Sequence, residues 1–187
     1  KVLLETKGLG GNGVQPFSLT LHKGEVLGLG GLVGAGRTEY AEMIFGAAEK
    51  QCGEICMDGK PIKVRSPKEA VTMGIGMVPE DRKEQGVLLR MTIRENIVIP
   101  ILKRISNKIG FVDSSKEKKI TQEQFDALRI KAPSINRTVN TLSGGNQQKV
   151  VLAKWLANDC RVLILDEPTR GIDVAAKQEI YNLINDL

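Results

Sequence analysis

Apolar residues in the first third of the chain have the short, interrupted spacing of β-strands. Residues 1–30 contain apolar runs separated by glycine-rich turns, and residues 53–64 repeat this pattern. Such runs predict β structure. Residues 26–30 (Val-Leu-Gly-Leu-Gly) predict a further short strand, and Phe17, which lies in an alternating strand, is expected in the core.

The rest of the chain alternates between helical and strand-like patterns. Helices are predicted at 38–45, 67–73, 147–158 and 175–187, and a polar helical stretch at 93–128 with a break near 106–115. Apolar runs predict strands at 74–79 and 162–165, and Ile180, Ile184 and Leu187 form one stripe of the last helix. With 187 residues, these elements indicate one α/β domain with a sizeable core.

A glycine-rich loop at residues 31–38 (Gly-Leu-Val-Gly-Ala-Gly-Arg-Thr) lies between a predicted strand and a predicted helix. This is the context of a phosphate-binding loop, whose backbone N–H groups point inward at a polyphosphate. The pattern G-x-x-x-x-G-K-[ST] is met except at Arg37, which replaces the lysine. A plain glycine turn is the alternative, whereas a dinucleotide fingerprint would need a glycine at Val33.

Two further segments point to the same chemistry. Ser143-Gly144-Gly145 comes directly before a helix, where N–H groups and the helix dipole favour an anion. The apolar strand 162–165 ends in Asp166 and Glu167. Carboxylates at the end of a buried strand are where α/β sheets hold metal and nucleotide. Together the segments predict phosphate chemistry.

These motifs resemble those of the nucleotide-binding domain of ABC-type ATPases, and the resemblance covers nearly the whole chain. Residues 31–38 are similar to the Walker A loop, 142–147 to the ABC signature, 163–167 to Walker B, 170–173 to the D-loop, and 77–82 with 91–96 to the Q-loop and the start of the helical subdomain. Residues 34–39, 79–83 and 143–149 look like the second, C-terminal ATPase half of simple-sugar importers.

The resemblance implies a P-loop α/β fold of ABC type. Its central, mainly parallel sheet would be flanked by helices, with an N-terminal antiparallel β subdomain and an inserted helical subdomain. A single, C-terminally incomplete domain is expected over 1–187, with its core at about 1–90 and 140–187 and the helical subdomain at about 91–139. The chain would then be part of a longer polypeptide that fuses two ATPase halves.

The resemblance also assigns roles to individual residues. The nucleotide-binding residues would be Gly31, Gly34, Ala35, Gly36, Arg37, Thr38 and Glu39, with Thr38 and Asp166 holding Mg²⁺ and Glu167 acting as general base. The signature residues Ser143, Gly144, Gly145, Asn146 and Gln147 would face the ATP of a partner domain. Glu80 stands where the family usually has the Q-loop glutamine, and Asp173 would contact the opposite domain; simple surface charge is the alternative for both.

The function implied is ATP binding and hydrolysis that power import of a monosaccharide such as ribose, galactose or xylose. The expected partners are the N-terminal ATPase half, membrane permease subunits and, indirectly, a periplasmic or lipoprotein sugar-binding protein, at the cytoplasmic face of the membrane. Arg37 and Glu80 leave open a degenerate regulatory half that only completes its partner's site. A non-transport ABC ATPase acting on DNA or ribosomes is disfavoured, because long heptad insertions and a basic, aromatic-rich arm are missing from the sequence.

Composition adds limits to this interpretation. The net charge of +5 is scattered, and only 4% of residues are aromatic, so a nucleic-acid surface is not expected. No run of 18 apolar residues occurs, which predicts no membrane span. Cys52, Cys56 and Cys160, with a single histidine, are too few for a zinc site and are expected as thiols in a reducing compartment.

Overall fold

The computed structural model describes residues 1–186, which form two compact units. The first unit extends from Lys1 to Gly76, and the second begins at Met77. The phosphate-loop candidate therefore lies in the first unit, whereas the signature, Walker B and D-loop candidates lie in the second.

A four-stranded antiparallel sheet with strand order β2-β1-β3-β4 forms the frame of the first unit. Its strands are β1 (Val2–Gly11), β2 (Val14–His22), β3 (Cys52–Met57) and β4 (Lys60–Ile62), and its helices are α1 (Arg37–Phe45) and α2 (Pro67–Thr72). Leu4 and Leu9 of β1 are buried, as are Tyr40 and Met43 of α1. The predicted β segments and both predicted helices of this unit are thus confirmed.

The predicted strand at residues 26–30 is wrong. These residues are irregular, and Val26 is 73% exposed. A strand needs neighbours that take up its N–H and C=O groups. Neither sheet of the described residues includes this segment, so its apolar pattern alone does not produce a strand.

Phe17 was expected in the core and is instead 50% exposed. It lies on β2, which is an edge strand of the sheet. Its ring meets that of Tyr40 edge-on, with the centroids 5.6 Å apart, and its carbonyl accepts a hydrogen bond of 3.1 Å from the Tyr40 hydroxyl. An edge position therefore gives Phe17 one aromatic neighbour and leaves the rest of the ring in solvent.

The second unit is mainly helical. Strand β5 (Ile75–Val78) pairs with β6 (Val162–Leu165), and the helices are α3 (Ile93–Val98), α4 (Leu102–Ile105), α5 (Ser114–Ala127), α6 (Gly144–Leu156) and α7 (Val174–Asn185). A π-helical turn covers Arg82–Gly86. The predicted break after residue 105 is confirmed, because the chain forms a turn there before Asp113 caps α5.

Helix α6 is the centre of this unit. Val150, Val151, Leu152 and Ala153 have no measurable exposure, and Ile180 from α7 is equally buried. The predicted apolar stripe of α7 is thus confirmed at Ile180, while Leu187 lies outside the described residues. Helices α3 and α5 also pack together and on α6. Among the described residues, no helix is both long enough and apolar enough to cross a membrane.

Candidate functional site

The glycine-rich loop leads directly into helix α1. Gly36 is the N-cap residue, with φ 82° and ψ 18°, and the first helical residue is Arg37. Because glycine has no side chain to accept from the first N–H groups of the helix, this end offers backbone donors and the positive end of the dipole to a ligand. Thr38 and Glu39 follow in the first turn, both partly exposed.

The loop backbone depends on two glycines in the left-handed region. Gly34 has φ 80°, which disfavours other residues. At Gly36, a Cβ atom would lie 2.7 Å from Cγ2 of Val14, so a side chain is excluded by contact as well as by φ. Within the loop, the Ala35 N–H donates to the Leu32 carbonyl at 3.1 Å. Gly31 and Gly34 are exposed.

The signature segment forms the start of helix α6, three residues earlier than the apolar pattern predicts. Ser143 is the N-cap, and its carbonyl accepts from the Gln147 N–H at 2.9 Å. Asn146 donates to the Ser143 hydroxyl at 2.9 Å and accepts from the Lys131 N–H at 2.8 Å. Gln147 is buried and donates to carbonyls of the preceding turn. The side chains after the glycines therefore stabilise the helix start.

Both signature glycines pack closely against the segment that follows Walker B. A Cβ atom on Gly144 would lie 2.8 Å from Nη2 of Arg82 and 3.3 Å from the Gly171 carbonyl oxygen. A Cβ atom on Gly145 would lie 2.6 Å from Cβ of Ala176 in α7. The distance to Ala176 is shorter than two carbon atoms allow, so a side chain on Gly145 would force α7 to move, whereas one on Gly144 would displace the end of the Arg82 side chain. Packing within this chain therefore disfavours a side chain at both positions, independently of any bound nucleotide.

Asp166 and Glu167 follow β6, as predicted. The Asp166 N–H donates to the Val78 carbonyl at 2.9 Å, which holds this residue beside β5. Its Oδ2 atom is buried and has no hydrogen-bond partner among the described residues. A buried, unsatisfied carboxylate oxygen is costly unless a cation or water takes it up. The Asp166 carboxylate therefore fits a divalent cation or a water bound to one.

Glu167 has an unusual backbone conformation. Its φ is 44°, which is uncommon for a residue with a side chain. Its carbonyl accepts from the Arg170 N–H at 2.9 Å, closing a turn, and the residue is exposed. The turn thereby presents a solvent-accessible carboxylate one residue after Asp166, whose Oδ2 atom is buried.

The turn after Glu167 is held by two side chains from the segment that follows β5. Arg82 is buried and donates to the carbonyls of Arg170 and Gly171 at 2.7 and 3.1 Å. Glu80 forms an ion pair with the Arg170 side chain. Asp173 caps α7 by accepting from the Ala176 N–H at 2.9 Å. Glu80 and Asp173 thus each have a hydrogen-bonded partner within this chain.

Lys149 of α6 is a buried cation that forms an ion pair that the sequence did not predict. Its side chain is 4% exposed and donates to Glu179 of α7 at 2.7 Å and to the Arg129 carbonyl at 3.2 Å. The hydrogen bond from Lys149 lowers the pKa of Glu179. Further along α6, burial lowers the pKa of Lys154 to about 8, and its ammonium donates to the Gly86 carbonyl at 2.6 Å.

Replacing Glu179 by Gln is expected to destabilise the second unit and to change its response to acid. The neutral amide leaves the Lys149 charge without its counter-ion, at a cost of about 1–3 kcal/mol, reduced by solvent because Glu179 is nearly half exposed. Since the folded-state pKa of Glu179 lies below 4.5, the stabilisation is present above that pH and is lost as pH falls through the folded-state value. Denaturant unfolding between pH 7 and 3 should therefore give a flatter profile for Glu179→Gln. Glu123→Gln, an exposed site on α5, is the control, and an unchanged slope would contradict the pairing.

Sequence reasoning missed Arg82 and Lys149, although both lie in motifs that it used. A charged residue in a motif gives no sign of its burial when its partners are distant in sequence, and here they lie 20 to 89 residues away. The one available signal for Lys149 is its place directly before the apolar run at 150–153 of the predicted helix.

The fold is shared with known ATP-binding cassettes. The structure aligns over 100% of this chain, and 77% of the other, with a nucleotide-free ATP-binding cassette from an ABC transporter, with a TM-score of 0.84 and 20% identity. It also aligns with a dimeric cassette in a post-hydrolysis state bound to ADP and Pi, over 97% of this chain and 81% of that one, with a TM-score of 0.79 and 22% identity. At such identities the similarity concerns the fold, and it confirms the predicted fold class.

Relatives of higher identity align with nearly the whole length of this chain. The ribose import ATP-binding protein RbsA of Geobacillus kaustophilus is 52% identical over 170 residues, covering 91% of this chain and 34% of that protein. The protein of the same name from Lacticaseibacillus paracasei is 48% identical over 187 residues, covering 100% of this chain and 37% of that protein. The chain therefore spans about a third of the length of these curated relatives. The family model for ABC transporters matches residues 14–170, and this chain belongs to the ABC transporter family.

Proposed function

We propose that this chain is an ATP-binding and ATP-hydrolysing domain that powers import of a monosaccharide. The observation that carries the ATP-binding part is the glycine-capped start of α1, where a loop with Gly34 and Gly36 at positive φ leads into a helix whose N-cap residue provides no side-chain hydrogen bond. Ribose import proteins at about 50% identity support the sugar and the transport function.

The phosphates of ATP are assigned to residues 31–38. In this proposal the N–H groups of Gly34, Gly36 and Arg37 surround the β-phosphate, and the Arg37 guanidinium supplies the positive charge that lysine usually supplies. Arginine is a wide planar fork, whereas lysine is a point charge on a flexible stem. Binding is therefore retained through backbone amides, while Arg37 is expected to give slower hydrolysis than lysine would.

The carboxylates after β6 are assigned to the metal and to water. Thr38 and Asp166 are the proposed Mg²⁺ ligands, and the buried Oδ2 atom without a hydrogen-bond partner among the described residues supports this for Asp166. Bound Mg²⁺ would supply charge neutralisation on the phosphates. Glu167 is the proposed general base, because its exposed carboxylate can orient an attacking water.

The signature is assigned to a different nucleotide from the one bound at residues 31–38. Ser143, Gly144 and Gly145 would face ATP held by a partner domain, and a solved ATP-binding cassette of the same fold is dimeric and bound to ADP and Pi. The threefold greater length of the relatives supports an N-terminal ATPase half in the same polypeptide as that partner. Permease subunits would then hold the protein at the cytoplasmic face of the membrane.

The experiment is calorimetric titration of Mg·ATP into this chain and into Thr38→Ala. Loss of the hydroxyl should weaken binding by about 10–100-fold, because a metal ligand is removed while the loop amides remain. Thr72→Ala, at an exposed position on α2 of the same unit, is the control and should bind as the parent chain does. Equal affinities in all three proteins would contradict the assignment of Thr38.

A further inference from the structure

We propose that Arg82 is a positioning residue for ATP hydrolysis: its guanidinium holds the turn after Glu167 and the first residues of the signature helix in one fixed arrangement. The expected effect of Arg82 on hydrolysis rests on the proposed function. The hydrogen bonds and close contacts of its guanidinium lie within the second unit.

The guanidinium makes two hydrogen bonds to consecutive carbonyls. Nη1 donates to the Arg170 oxygen at 2.7 Å and Nη2 to the Gly171 oxygen at 3.1 Å. Because Arg82 is buried, these charge-assisted bonds are little weakened by water. A planar fork that reaches two oxygens fixes both the distance and the orientation of the turn. The rotatable ammonium of lysine would not fix that orientation.

The same guanidinium lies against the start of the signature helix. A Cβ atom on Gly144 would be 2.8 Å from Nη2, so the fork occupies the space that a side chain would need. The Gly171 oxygen and Ile172 Cγ2 would each be 3.3 Å from that atom. Arg82, the turn and Gly144 therefore form one closely packed junction.

Polar contacts hold both ends of the segment that carries Arg82. Glu80 pairs with the Arg170 side chain two residues before Arg82, and Lys154 of the signature helix donates to the Gly86 carbonyl at the end of the π-helical turn. A displacement of residues 80–86 must therefore move the turn and α6 with it, or break several charged hydrogen bonds. The Arg170 N–H in turn donates to the Glu167 carbonyl, so the arrangement extends to the proposed general base.

The test compares Arg82→Lys with Lys83→Gln, its exposed neighbour, in the longer protein. In the proposed role, Arg82 does not touch the reacting atoms. We therefore expect kcat to fall about 10–100-fold in Arg82→Lys, with the KM for ATP unchanged. Lys83→Gln should leave both constants unchanged. A fall in kcat/KM that comes from KM alone would overturn the proposal, because a positioning role acts on the chemical step.

Hydrogen exchange gives a second readout that needs no turnover. Arg82→Lys should raise exchange by at least tenfold at the Arg170 amide, which donates to the Glu167 carbonyl, and at the Gln147 amide, which donates to the Ser143 carbonyl, while amides in the middle of α6 keep their protection. Unchanged exchange at these amides would overturn the proposal. If the parent protein does not hydrolyse ATP, the proposed function fails, and the exchange result alone decides the role of Arg82.

Discussion

Replacing Glu167 by Gln is expected to lower the rate of ATP hydrolysis by about 10²–10⁴-fold, the usual contribution of general acid–base catalysis. The amide has the shape of the carboxylate but cannot accept the proton of an attacking water. Mg·ATP affinity should change little, because the proposed phosphate contacts lie at residues 31–38. The measurement is steady-state ATP hydrolysis of the longer protein with its transporter partners, stimulated by sugar, together with calorimetric binding.

The matched control is Glu84→Gln, an exposed carboxyl in the π-helical turn, which should hydrolyse ATP at the parent rate. Parent-like turnover in Glu167→Gln would contradict the proposed catalytic role. The chain would then be better described as a regulatory half that binds nucleotide and completes its partner's site. In that case the Ser143–Gly144–Gly145 signature would be its main contribution to hydrolysis.

Replacing Gly145 by Val is expected to destabilise the second unit by roughly 3 kcal/mol, the upper end of typical overpacking costs. A Cβ atom at this position would be only 2.6 Å from Ala176 Cβ, so α7 must move. That movement also disturbs the hydrogen bond by which Asp173 caps α7. The better helix propensity of valine offsets less than about 1 kcal/mol of this cost.

The only tryptophan of the chain makes this measurable. Trp155 lies buried on α6, so its fluorescence in urea reports unfolding of the second unit. Gly28→Val is the control, because a Cβ atom at Gly28 would have no heavy atom within 4 Å. If Gly145→Val unfolds at the same urea concentration as the control, the close contact with Ala176 does not limit this position.

Local sequence patterns predicted the elements whose formation depends on nearby residues. The turn glycines and the apolar spacing of α1 and α6, and the apolar run of β6 before Asp166, were sufficient to find these elements. At such places the helix or strand propensity of the residues and the burial of their apolar side chains favour the same structure. The order of the phosphate-loop, signature and Walker B segments was therefore readable from the sequence.

Features that depend on distant partners were not predictable in this way. The apolar run 26–30 reads as a strand, yet neither sheet of the described residues includes it. Phe17 fits the alternating apolar pattern of a strand with one buried face. It is exposed because its strand, β2, lies at the edge of the sheet, which the local sequence does not indicate. The burial of Arg82 depends on the carbonyls of a turn 88 and 89 residues away.

At Glu167, the left-handed backbone favours a residue for stability that differs from the one needed for the proposed hydrolysis. An L-residue at φ 44° stores about 1 kcal/mol of conformational strain that glycine would not. A search for thermostable variants would therefore favour glycine at this position, and in doing so would remove the carboxylate on which the proposed hydrolysis depends. Selection for stability alone should thus favour glycine at position 167, whereas selection for ATP hydrolysis should keep glutamate.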